Sequence, residues 1–559
     1  MRLEDFYFDP SSQVYVNNSQ ISSIGYRDGS EGYLADIFRE AADVSLFSPE
    51  LRAKIKDWPS LYHLSPLRFS ILDCLGFHNR HVKVLELGAG CGAVTRWLGE
   101  HFTTVCTVEG SIERAKLARQ RCRDLPHVKV FSANFLDVKL EKEFDIVTLI
   151  GVLEYSSLYD PVHRGNPFQS SLTTLKCVRD SLKESGVLVL AIENKFGIKY
   201  FSGAREDHSG RYFDSIQGYP NHSGAVTFGV SELTRLLHES GFGTLDFYLP
   251  FPDYKHATTI INAQVDPSPY YLHNWIETPF PDIEAKRQVL LFNEGLVVRE
   301  LCKANLLKDL SNSFLILAYA GEKEGTCEQL GLDEKWIVKH YSLNRYPAFC
   351  KRTTLLGNRD GLLKIHAETP FGNATSRDNI RRVLSHVLCH DEYHPGNLLL
   401  FEVFEMLLSR NFRSRFSYFL LKVNQFILEH FSAGYKDAVG IPMLDGTSLD
   451  ITPWNIIVEE DTGRWKMIDV EWNFNHVIPI DLVLWRNLYY LTYRYHSFFV
   501  RHLPDRNTDD FIAAEIRKLY PGFDRSRSLM GEKLEQALQF FVTHGMLTEE
   551  LETIISSMF

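Results

Sequence analysis

The sequence predicts an α/β protein in which a doubly wound, mostly parallel sheet is followed by a second, α+β domain. From about residue 82, short apolar runs alternate with segments of helical periodicity, as in sheets whose strands are joined by helices. The chain has 559 residues, which is too long for one ordinary core and favours two or three domains.

Five apolar runs rich in β-branched residues are interpreted as buried strands: VKVLEL, TVCTVE, VKVFS, DIVTLI and VLVLAI. Between them, GAVTRWLGEHF, SIERAKLARQRC and SLTTLKCVRDSLKES have the spacing of helices. We therefore expect a Rossmann-like sheet domain over residues 61–265, preceded by a helical segment over 1–60.

The second domain is predicted to follow a Pro-rich linker, DPSPYYLHNWIETPFPD, for which we take residues 266–285. GLVVREL, FLILAYA and WIVKHY are interpreted as strands of this domain, which we place at 286–483. The stretch 376–436 is expected to be largely helical, and the aromatic region 484–559 is expected to be helical as well.

Composition narrows the class of protein. The net charge of −11 argues against a general affinity for nucleic acid. Nine scattered cysteines without a CxxC pair are typical of reduced thiols in a cytosolic protein. The first residues do not form a secretory signal, and no run of about 18 apolar residues predicts a membrane span. We expect a cytoplasmic protein, with attachment to the inner face of a membrane through a partner left open.

A glycine-rich turn follows the first predicted strand. Gly88, Gly90 and Gly92 lie in VLELGAGCGAVTRWLG, at the strand end where such sheets bind ligands. Glu109 ends the second strand, 21 residues after Gly88, the position of a carboxylate that holds both ribose hydroxyls. Taken alone, the pattern also fits a dinucleotide-binding oxidoreductase, with Ala93 as the last small residue.

Three further features favour a cationic nucleoside over a dinucleotide. Glu86 suits a cationic amino-acid group and would repel a pyrophosphate. Asn134 and Phe135 follow the third strand, where they are placed to hydrogen-bond to an adenine and to stack on it. Glu154 follows the fourth strand on the reaction side.

Together these motifs resemble those of class I S-adenosylmethionine-dependent methyltransferases. The resemblance implies that this cofactor is bound by Glu86, Gly88, Ala89, Gly90, Gly92, Glu109, Asn134 and Phe135. DWPSLYHLSPLRFSIL, AIENKFGIKYFSGAREDHSG and YLPFPDYK are similar to a bacterial group encoded with surface-polysaccharide assembly enzymes, over roughly residues 30–265. That similarity implies a glycan or glycan-linked phosphate as acceptor, and assembly proteins as partners.

The acceptor side is expected to lie near residues 206–208. Methyl transfer from a sulfonium is an in-line displacement, and a hydroxyl acceptor also needs a base. His208 has an ordinary pKa suited to that role, with Glu154 nearby, although a solvated loop explains the same residues. Tyr62, His63 and Arg68 either close over the cofactor or pack against the sheet edge.

A second motif lies at 447–472, TSLDITPWNIIVEEDTGRWKMIDVEW. Asp450 and Asn455 have the spacing of a kinase catalytic loop, and a hairpin turning at Gly463 is predicted to bring Asp469 beside Asn455. The pattern resembles the aminoglycoside-phosphotransferase branch of kinase-like folds. It implies Asp450 as the catalytic acid, Asn455 and Asp469 as magnesium ligands, and Lys339 as the lysine that pairs with the phosphates of ATP.

Two departures from that pattern keep other readings open. Ser448 stands where the family has a histidine, and no convincing Gly-rich loop precedes Lys339. A pseudokinase, or a plain hairpin with solvated acids, therefore remains an alternative. CHDEYHPGNLLLF also resembles the phosphotransferase loop, but Glu392 occupies the acid position, and we interpret it as a turn that ends a helix.

Three functions remain open. The preferred hypothesis is a methyltransferase that acts on a surface glycan or its precursor, with a kinase-like accessory domain. The order of the two domains also resembles bifunctional enzymes that phosphorylate a terminal O-antigen sugar and methylate the phosphate. The third hypothesis is a scaffolding protein with a pseudokinase half.

Overall fold

The computed structural model describes residues 2–17, 27–220, 224–280, 290–332, 335–357, 363–370, 384–388, 392–503, 507–545 and 553. The chain divides into two compact units. Unit 1 comprises Met1–Pro267, Ile276–Leu291 and Leu301–Lys339. Unit 2 comprises Ser268–Trp275, Phe292–Glu300 and His340–Phe559.

Unit 1 is built on one large mixed sheet. Its strands are β1 (Tyr7–Asp9), β2 (Val14–Val16), β3 (Lys83–Leu87), β4 (Thr104–Glu109), β5 (Val128–Ser132), β6 (Phe144–Ile150), β7 (Leu182–Glu193), β8 (Thr244–Phe251), β9 (Thr259–Asn262), β10 (Ser313–Tyr319) and β11 (Trp336–Ser342, in this unit as far as Lys339). Their order across the sheet is β1-β2-β5-β4-β3-β6-β7-β10-β8-β9-β11.

The α-helices between residues 31 and 330 belong to unit 1, except that residues 294–300 of the eleventh helix lie in unit 2. They are α1 (Glu31–Glu40), α2 (Pro49–Arg52), α3 (Trp58–Leu64), α4 (Ser70–Asp73), α5 (Ala93–His101), α6 (Ile112–Arg121), α7 (Ser156–Tyr159), α8 (Pro167–Ser181), α9 (Ile198–Phe201), α10 (Val230–Glu239), α11 (Glu294–Lys303), α12 (Leu307–Leu310) and α13 (Lys323–Leu330). Short 3-10 helices lie at Leu3–Asp5, Pro66–Phe69, Phe135–Asp137 and Leu153–Tyr155.

The doubly wound centre predicted from the sequence is confirmed. The five predicted strands are β3 to β7, and β3 pairs in parallel with β4 and β6, β4 with β5, and β6 with β7. Every residue of β6 is buried, as expected for a central strand covered on both faces. Parallel strands joined by helices place their carboxyl ends along one edge of the sheet, where a ligand site is expected.

The sheet is completed by a strand far along the chain. FLILAYA, assigned from the sequence to the second domain, forms β10, which lies antiparallel between β7 and β8. The sheet of unit 1 therefore extends beyond residue 265, and the division of the chain differs from the predicted order 61–265, 266–285 and 286–483.

The predicted strand GLVVREL is wrong, since these residues belong to helix α11. Two adjacent valines suggested a strand. The buried residues Val298, Leu301 and Cys302 instead follow the three- and four-residue spacing of one helix face.

Unit 2 combines short strands with long helices. Its strands are β12 (Lys351–Gly357), β13 (Leu363–Glu368), β14 (Leu384–His386), β15 (Gly396–Leu398), β16 (Ser432–Lys436), β17 (Pro442–Leu444), β18 (Ile456–Glu459), β19 (Trp465–Met467), β20 (Trp472–Phe474) and β21 (Ile478–Pro479). Its helices are α14 (Leu400–Leu407), α15 (Phe412–Phe431), α16 (Ile480–Arg494), α17 (His496–Phe499), α18 (Thr508–Arg517) and α19 (Arg525–His544). Additional 3-10 helices lie at Leu272–Trp275, Pro347–Phe349, Gly446–Asp450 and Val500–His502.

The strands of unit 2 form small antiparallel sheets, β14-β20, β15-β18-β19 and β16-β17-β21, and β12 pairs with β13. The helical prediction for 484–559 is confirmed for the described residues by α16 to α19, and residues 504–506, 546–552 and 554–559 lie outside the described part of the chain. The stretch 376–436 contains α14 and α15 but also short strands, and its residues 376–383 and 389–391 lie outside the described part of the chain. Among the described helices, none is long and apolar enough to cross a membrane.

Candidate active site

A cavity of about 1030 Å³ opens at the carboxyl ends of β3 to β7 in unit 1. The residues predicted to bind a cofactor or acceptor in the sheet domain line this cavity, with the exception of Gly92. Those on the lining are Glu86, Gly88, Ala89, Gly90, Glu109, Asn134, Phe135, Glu154 and His208. The site expected from the sheet topology is therefore present as a space large enough for a nucleoside and an acceptor group.

Two glycines of the turn after β3 have a steric reason to be glycine. Gly88 has φ +84°, and a Cβ there would lie 2.4 Å from Cγ2 of Val152. Gly92 has φ +89°, and its Cβ would lie 2.8 Å from Cα of Ala118 in α6. Gly88 is thus required by its positive φ and by the close approach of Val152, and Gly92 by the close packing of α6.

Glu109, at the end of β4, has a fixed carboxylate on the cavity wall. Its Oε2 accepts a hydrogen bond from the backbone N–H of Gly90 at 2.8 Å, and its Oε1 accepts one from Ser111 at 2.9 Å. Burial raises the pKa of this carboxyl, and the nearby Arg114 guanidinium opposes the shift. Each oxygen keeps lone pairs for a further donor, so the group can still accept two ribose hydroxyls.

Glu86 lies within β3 and is only 2% exposed. The hydroxyl of Thr95 donates to its Oε2 at 2.6 Å. Burial raises the pKa of Glu86 to about 7, because the charged form has lost its water. A ligand that brings a cationic amino group would restore the ionised form.

Asn134 and Phe135 shape the wall beside the glycine turn. The Asn134 amide donates to the carbonyl of Tyr159 at 2.9 Å and accepts from the N–H of Leu136 at 3.1 Å. Phe135 packs edge-on against the Tyr159 ring, with centroids 5.1 Å apart. The amide is therefore engaged by the fold on both its nitrogen and its oxygen, and direct hydrogen bonding to adenine stays a prediction.

At the end of the cavity away from Glu109, three carboxylates surround His208. Nδ1 of His208 lies 3.0 Å from Oε1 of Glu206, and Nε2 lies 3.9 Å from Glu154 and from Glu193. Burial alone would lower the pKa of His208, but Glu193, Glu206 and Glu154 raise it to about 9. An imidazole that keeps its proton at neutral pH is a poor base, so the predicted general-base role does not suit the site as it stands.

Glu154 is the least compensated of these acids. It is 3% exposed, and its Oε2 has no hydrogen-bond partner among the described residues. Burial and the neighbouring charge of Glu193 raise its pKa to about 8. The carboxyl therefore faces the cavity as a group that would accept a cation or a donor from a ligand.

Residues 206–208 belong to a buried ionic network and do not form a solvated loop. Lys255 Nζ lies 2.5 Å from Glu193 and 2.8 Å from Asp207. Lys199 lies 2.7 Å from Asp207 and 3.4 Å from Asp253. The sequence interpretation missed Glu193, although it ends a predicted strand just as Glu109 does.

The N-terminal segment contributes the remaining wall. Tyr62, His63 and Arg68 all line the cavity, as one of the two readings of the sequence expected. The Arg68 guanidinium donates to the Tyr62 hydroxyl at 3.1 Å, and His63 Nε2 lies 2.8 Å from Asp28. Arg68 also donates to the carbonyl of Lys255 at 3.2 Å, which ties the segment before β3 to the acceptor end of the cavity.

Comparison with known proteins supports what this geometry indicates. Residues 46–246 match the family model described as a methyltransferase domain. This part of the chain is therefore similar to methyltransferase domains. No curated protein sequence matches the chain.

Among solved structures, phosphoethanolamine N-methyltransferase 2 of Haemonchus contortus is 14% identical, with a TM-score of 0.28 over 46% of this chain and 52% of that one. The YcgJ protein of Bacillus subtilis is 14% identical, with a TM-score of 0.26 over 46% of this chain and 98% of that one. The chain thus spans about half the length of the first of these proteins.

Outside the methyltransferase domain, the predicted hairpin of unit 2 is confirmed. β18 and β19 pair with Ile456 opposite Met467, and Gly463 in the turn has φ +64°. The N–H of Ile468 donates to the carbonyl of Asn455 at 2.9 Å. Asn455 therefore lies opposite the residue that precedes Asp469, and the binding of one magnesium ion by the two side chains stays a prediction.

Asp450 has its carboxylate engaged by backbone. Its Oδ2 accepts from the N–H groups of Glu471 and Trp472 at 2.8 and 3.1 Å. Burial, helped by the charge of Glu471, raises its pKa to about 6. Asp450 thus joins the 3-10 turn before the hairpin to the strand that follows it, and its predicted catalytic role is not established by these contacts.

The predicted phosphate lysine, Lys339, belongs to the methyltransferase unit, where its Nζ donates to the carbonyl of Cys74 at 2.9 Å. In unit 2 it is Lys351, at the start of β12, that contacts Asp469 and lies 2.9 Å from Glu471. Lys351, and not Lys339, is therefore the lysine that lies beside Asp469. A lysine two residues after the 3-10 helix Pro347–Phe349 had no glycine-rich loop to mark it in the sequence.

The loop-like sequence CHDEYHPGNLLLF does not end a helix. Gly396–Leu398 form β15, which pairs with β18, and α14 follows at Leu400. His390, Asp391 and His394 of this stretch were candidates from the sequence for binding a metal, and the first two lie outside the described part of the chain. His394 lies 3.7 Å from Glu459.

Proposed function

We propose that the protein transfers a methyl group from S-adenosylmethionine to a bacterial surface glycan or its precursor. Glycan-assembly proteins at the inner face of the membrane are its expected partners. One observation carries the enzymatic part of the proposal: a single cavity runs from the Glu109 carboxylate to a second set of buried charges at Glu154 and His208. A nucleoside and an acceptor can therefore share one space in which the methyl group moves directly between them.

The cofactor end of the cavity fits S-adenosylmethionine in three respects. Glu109 is fixed by two backbone N–H groups where a ribose would lie. Glu86 is a buried carboxyl that gains from a cationic amino group. The turn at Gly88 and Gly90 lines the cavity, so its backbone can contact the ligand.

The acceptor end supports a polar acceptor that carries hydroxyl or phosphate oxygens. Lys255 and His208 supply positive charge, and Glu154 supplies a carboxyl oxygen without a partner among the described residues. Such a wall suits sugar hydroxyls and phosphates better than an apolar acceptor. The resemblance of residues 190–210 to enzymes encoded with polysaccharide assembly favours a glycan among polar acceptors.

The cofactor assignment is tested by calorimetry with S-adenosylhomocysteine. Glu109→Ala should weaken binding at least tenfold, because the ribose loses both of its acceptors. Glu113→Ala, an exposed acid on neighbouring α6, is the matched control and should bind as the wild type does. Equal affinity for all three proteins would remove Glu109 from the site.

The acceptor class is tested by transfer of a labelled methyl group. We expect label in surface-glycan precursors, and we expect the comparison of chains with and without a terminal phosphate to show which oxygen is methylated. Label appearing only in protein or small amines would contradict a glycan acceptor.

A second candidate function is that unit 2 is a kinase-like domain that phosphorylates the glycan before methylation. The supporting observation is the cluster formed by Lys351, Asp469 and Glu471 beside the Asn455 hairpin. A lysine next to an acid that follows a short hairpin is the arrangement that phosphoryl transfer uses to hold ATP and magnesium.

Magnesium-dependent ATP consumption with glycan acceptors tests this second function. Asp469→Asn should abolish it, and Lys351→Met should reduce it strongly, since one holds magnesium and the other the phosphates. Asp461→Asn, in the hairpin turn, is the control and should retain it. An intact protein that consumes no ATP with any candidate glycan would leave unit 2 as an accessory domain.

A further inference from the structure

Three possible metal ligands converge at the acceptor end of the cavity. Glu154, Glu193 and His208 each offer one ligand atom, and these atoms lie within 4.8 Å of one another. They come from three separate segments: the turn after β6, the last residue of β7, and the loop after α9. All three side chains line the cavity in which the acceptor is expected.

We propose that Glu154, Glu193 and His208 bind one divalent cation, Mn²⁺ or Mg²⁺, whose open coordination positions face the cavity and hold the acceptor oxygen. The inference rests on the proposed methyl transfer for its purpose, but not for the binding of the ion itself.

The first argument is the unpaired carboxyl. Glu154 is only 3% exposed, and its Oε2 has no hydrogen-bond donor among the described residues. A buried carboxylate without a donor or a cation is costly, so such groups are normally paired or bound to a metal. Because Glu154 lines the cavity, a partner for its carboxylate would have to bind from the cavity side.

The second argument is the balance of charge. The carboxylates of the network outnumber its ammonium groups. The carboxylates are Glu154, Glu193, Glu206, Asp207 and Asp253, and the ammonium groups are Lys199 and Lys255. Five carboxylates therefore face Lys199, Lys255, His208 and the adjacent Arg68, so an added cation is favoured electrostatically.

The third argument is the orientation of the imidazole. Nδ1 of His208 lies 3.0 Å from Oε1 of Glu206, so Glu206 fixes the ring with Nε2 toward Glu154 and Glu193. Metal-binding histidines are commonly held in this way by a carboxylate on the other ring nitrogen. Glu206 is itself fixed by the N–H groups of His208 and Ser209 at 2.9 and 2.6 Å.

Distances and ligand types indicate the class of ion. Nε2 of His208 is 3.9 Å from both Oε1 of Glu154 and Oε2 of Glu193. Bonds of roughly 2.1 Å in an octahedral site put ligand atoms about 3 to 4 Å apart, so small adjustments suffice. Two carboxylates with one imidazole favour Mn²⁺ or Mg²⁺ over a thiophilic metal, and three protein ligands leave positions open.

The ion would activate the acceptor as a Lewis acid. A hydroxyl oxygen bound to it loses its proton to solvent more readily. The oxygen lone pair then forms a bond to the methyl carbon, while the carbon–sulfur bond breaks with its electron pair moving to sulfur. The products are the methylated acceptor, S-adenosylhomocysteine and the released proton, and a phosphate acceptor needs no proton loss.

Mn²⁺ titration of the full-length chain, followed by electron paramagnetic resonance, tests the proposal without any acceptor. We expect one Mn²⁺ per chain for the wild type, and at least tenfold weaker binding for Glu154→Gln and for His208→Gln. Glu141→Gln, an exposed acid in the same unit, is the control and should bind as the wild type does. Mg²⁺ should displace the bound Mn²⁺.

Calorimetry with S-adenosylhomocysteine on the same proteins separates the two hypotheses. Retained nucleoside binding by Glu154→Gln and His208→Gln, with Mn²⁺ binding lost, supports the metal site and shows that the variants are folded. Nucleoside binding without Mn²⁺ binding in the wild type overturns the metal site and leaves the methyltransferase proposal standing. Mn²⁺ binding that is unchanged in both variants overturns the site as well.

Discussion

Two clusters of buried charge in this chain use the same residue types in opposite ways. In unit 2, the Glu471 carboxylate accepts hydrogen bonds from the two terminal guanidinium nitrogens of Arg345, at 2.6 and 2.9 Å. It also forms an ion pair with Lys351 at 2.9 Å. In the methyltransferase domain, Glu154 has no hydrogen-bond partner for Oε2 among the described residues. Each carboxylate lies near a histidine, His386 in one case and His208 in the other.

The pKa values follow from this difference in partners. Burial alone would raise the pKa of both acids. For Glu471, His386, Arg345 and Lys351 hold it well below its usual range, whereas for Glu154 the charge of Glu193 adds to burial and raises it to about 8. A buried carboxylate that is closely paired with protein cations, such as Glu471, stabilises the fold. One with a raised pKa and an unpaired oxygen, such as Glu154, is a candidate for binding a ligand.

The largest effect is expected when the paired cluster is broken. Glu471→Gln leaves Arg345 and Lys351 buried without their main counter-charge, which should cost about 3–5 kcal/mol of unfolding free energy in unit 2. Urea unfolding followed by tryptophan fluorescence measures it, since Trp472 is the next residue.

The control for this loss is Glu368→Gln, which removes the partner of Arg352 in a more exposed pair. That pair should contribute less than about 1 kcal/mol. Similar losses for the two variants would mean that Glu471 is no better integrated than a surface acid, and the contrast between the clusters would fail.

The centre of the sheet could be predicted because each buried parallel strand is a short apolar run in the sequence. β10 could not be placed, since its apolar sequence does not say that it pairs with β7 and β8, which lie more than fifty residues earlier. α11 was mistaken for a strand because two adjacent valines outweighed the helical spacing of its buried residues. Tertiary context decided both cases.

The residues of the two candidate sites likewise divide into those that local spacing predicts and those that depend on tertiary contacts. Gly88, Gly90 and Glu109 follow neighbouring strands, so their spacing in the sequence was enough to bring them to one cavity. Glu193 was missed although it also ends a strand, because nothing local distinguishes a buried acid that binds from one that packs. Lys351 was missed for another reason: its partners Asp469 and Glu471 lie more than a hundred residues away.

A second, intermediate effect concerns the dependence of cofactor binding on pH. The Glu86 pKa of about 7 means that this carboxyl is mostly protonated at pH 6 and mostly ionised at pH 8. Because a cationic amino group is bound by the ionised form, affinity for S-adenosylhomocysteine should rise about tenfold over that range. Calorimetry at fixed ionic strength measures the change.

Glu86→Gln should flatten this pH dependence, and the comparison between the two proteins cancels any titration of the ligand itself. An equally steep rise in Glu86→Gln would show that another group is responsible. The carboxyl of Glu86 would then have a structural role, as that of Glu471 has in unit 2.

The smallest effect should come from the unpaired acid. Glu154→Gln removes a charge that the protein itself does not compensate, so the metal-free chain should be unchanged or more stable, by less than about 1 kcal/mol. Thermal unfolding with a chelator at pH 8.5, where the wild-type carboxyl is partly ionised, measures the change. The sign matters more than the size, because Glu471→Gln must destabilise while Glu154→Gln must not. A loss of several kcal/mol at Glu154 would mean that its carboxylate already has a structural partner, and the acceptor end of the cavity would then be a closed network like the one in unit 2.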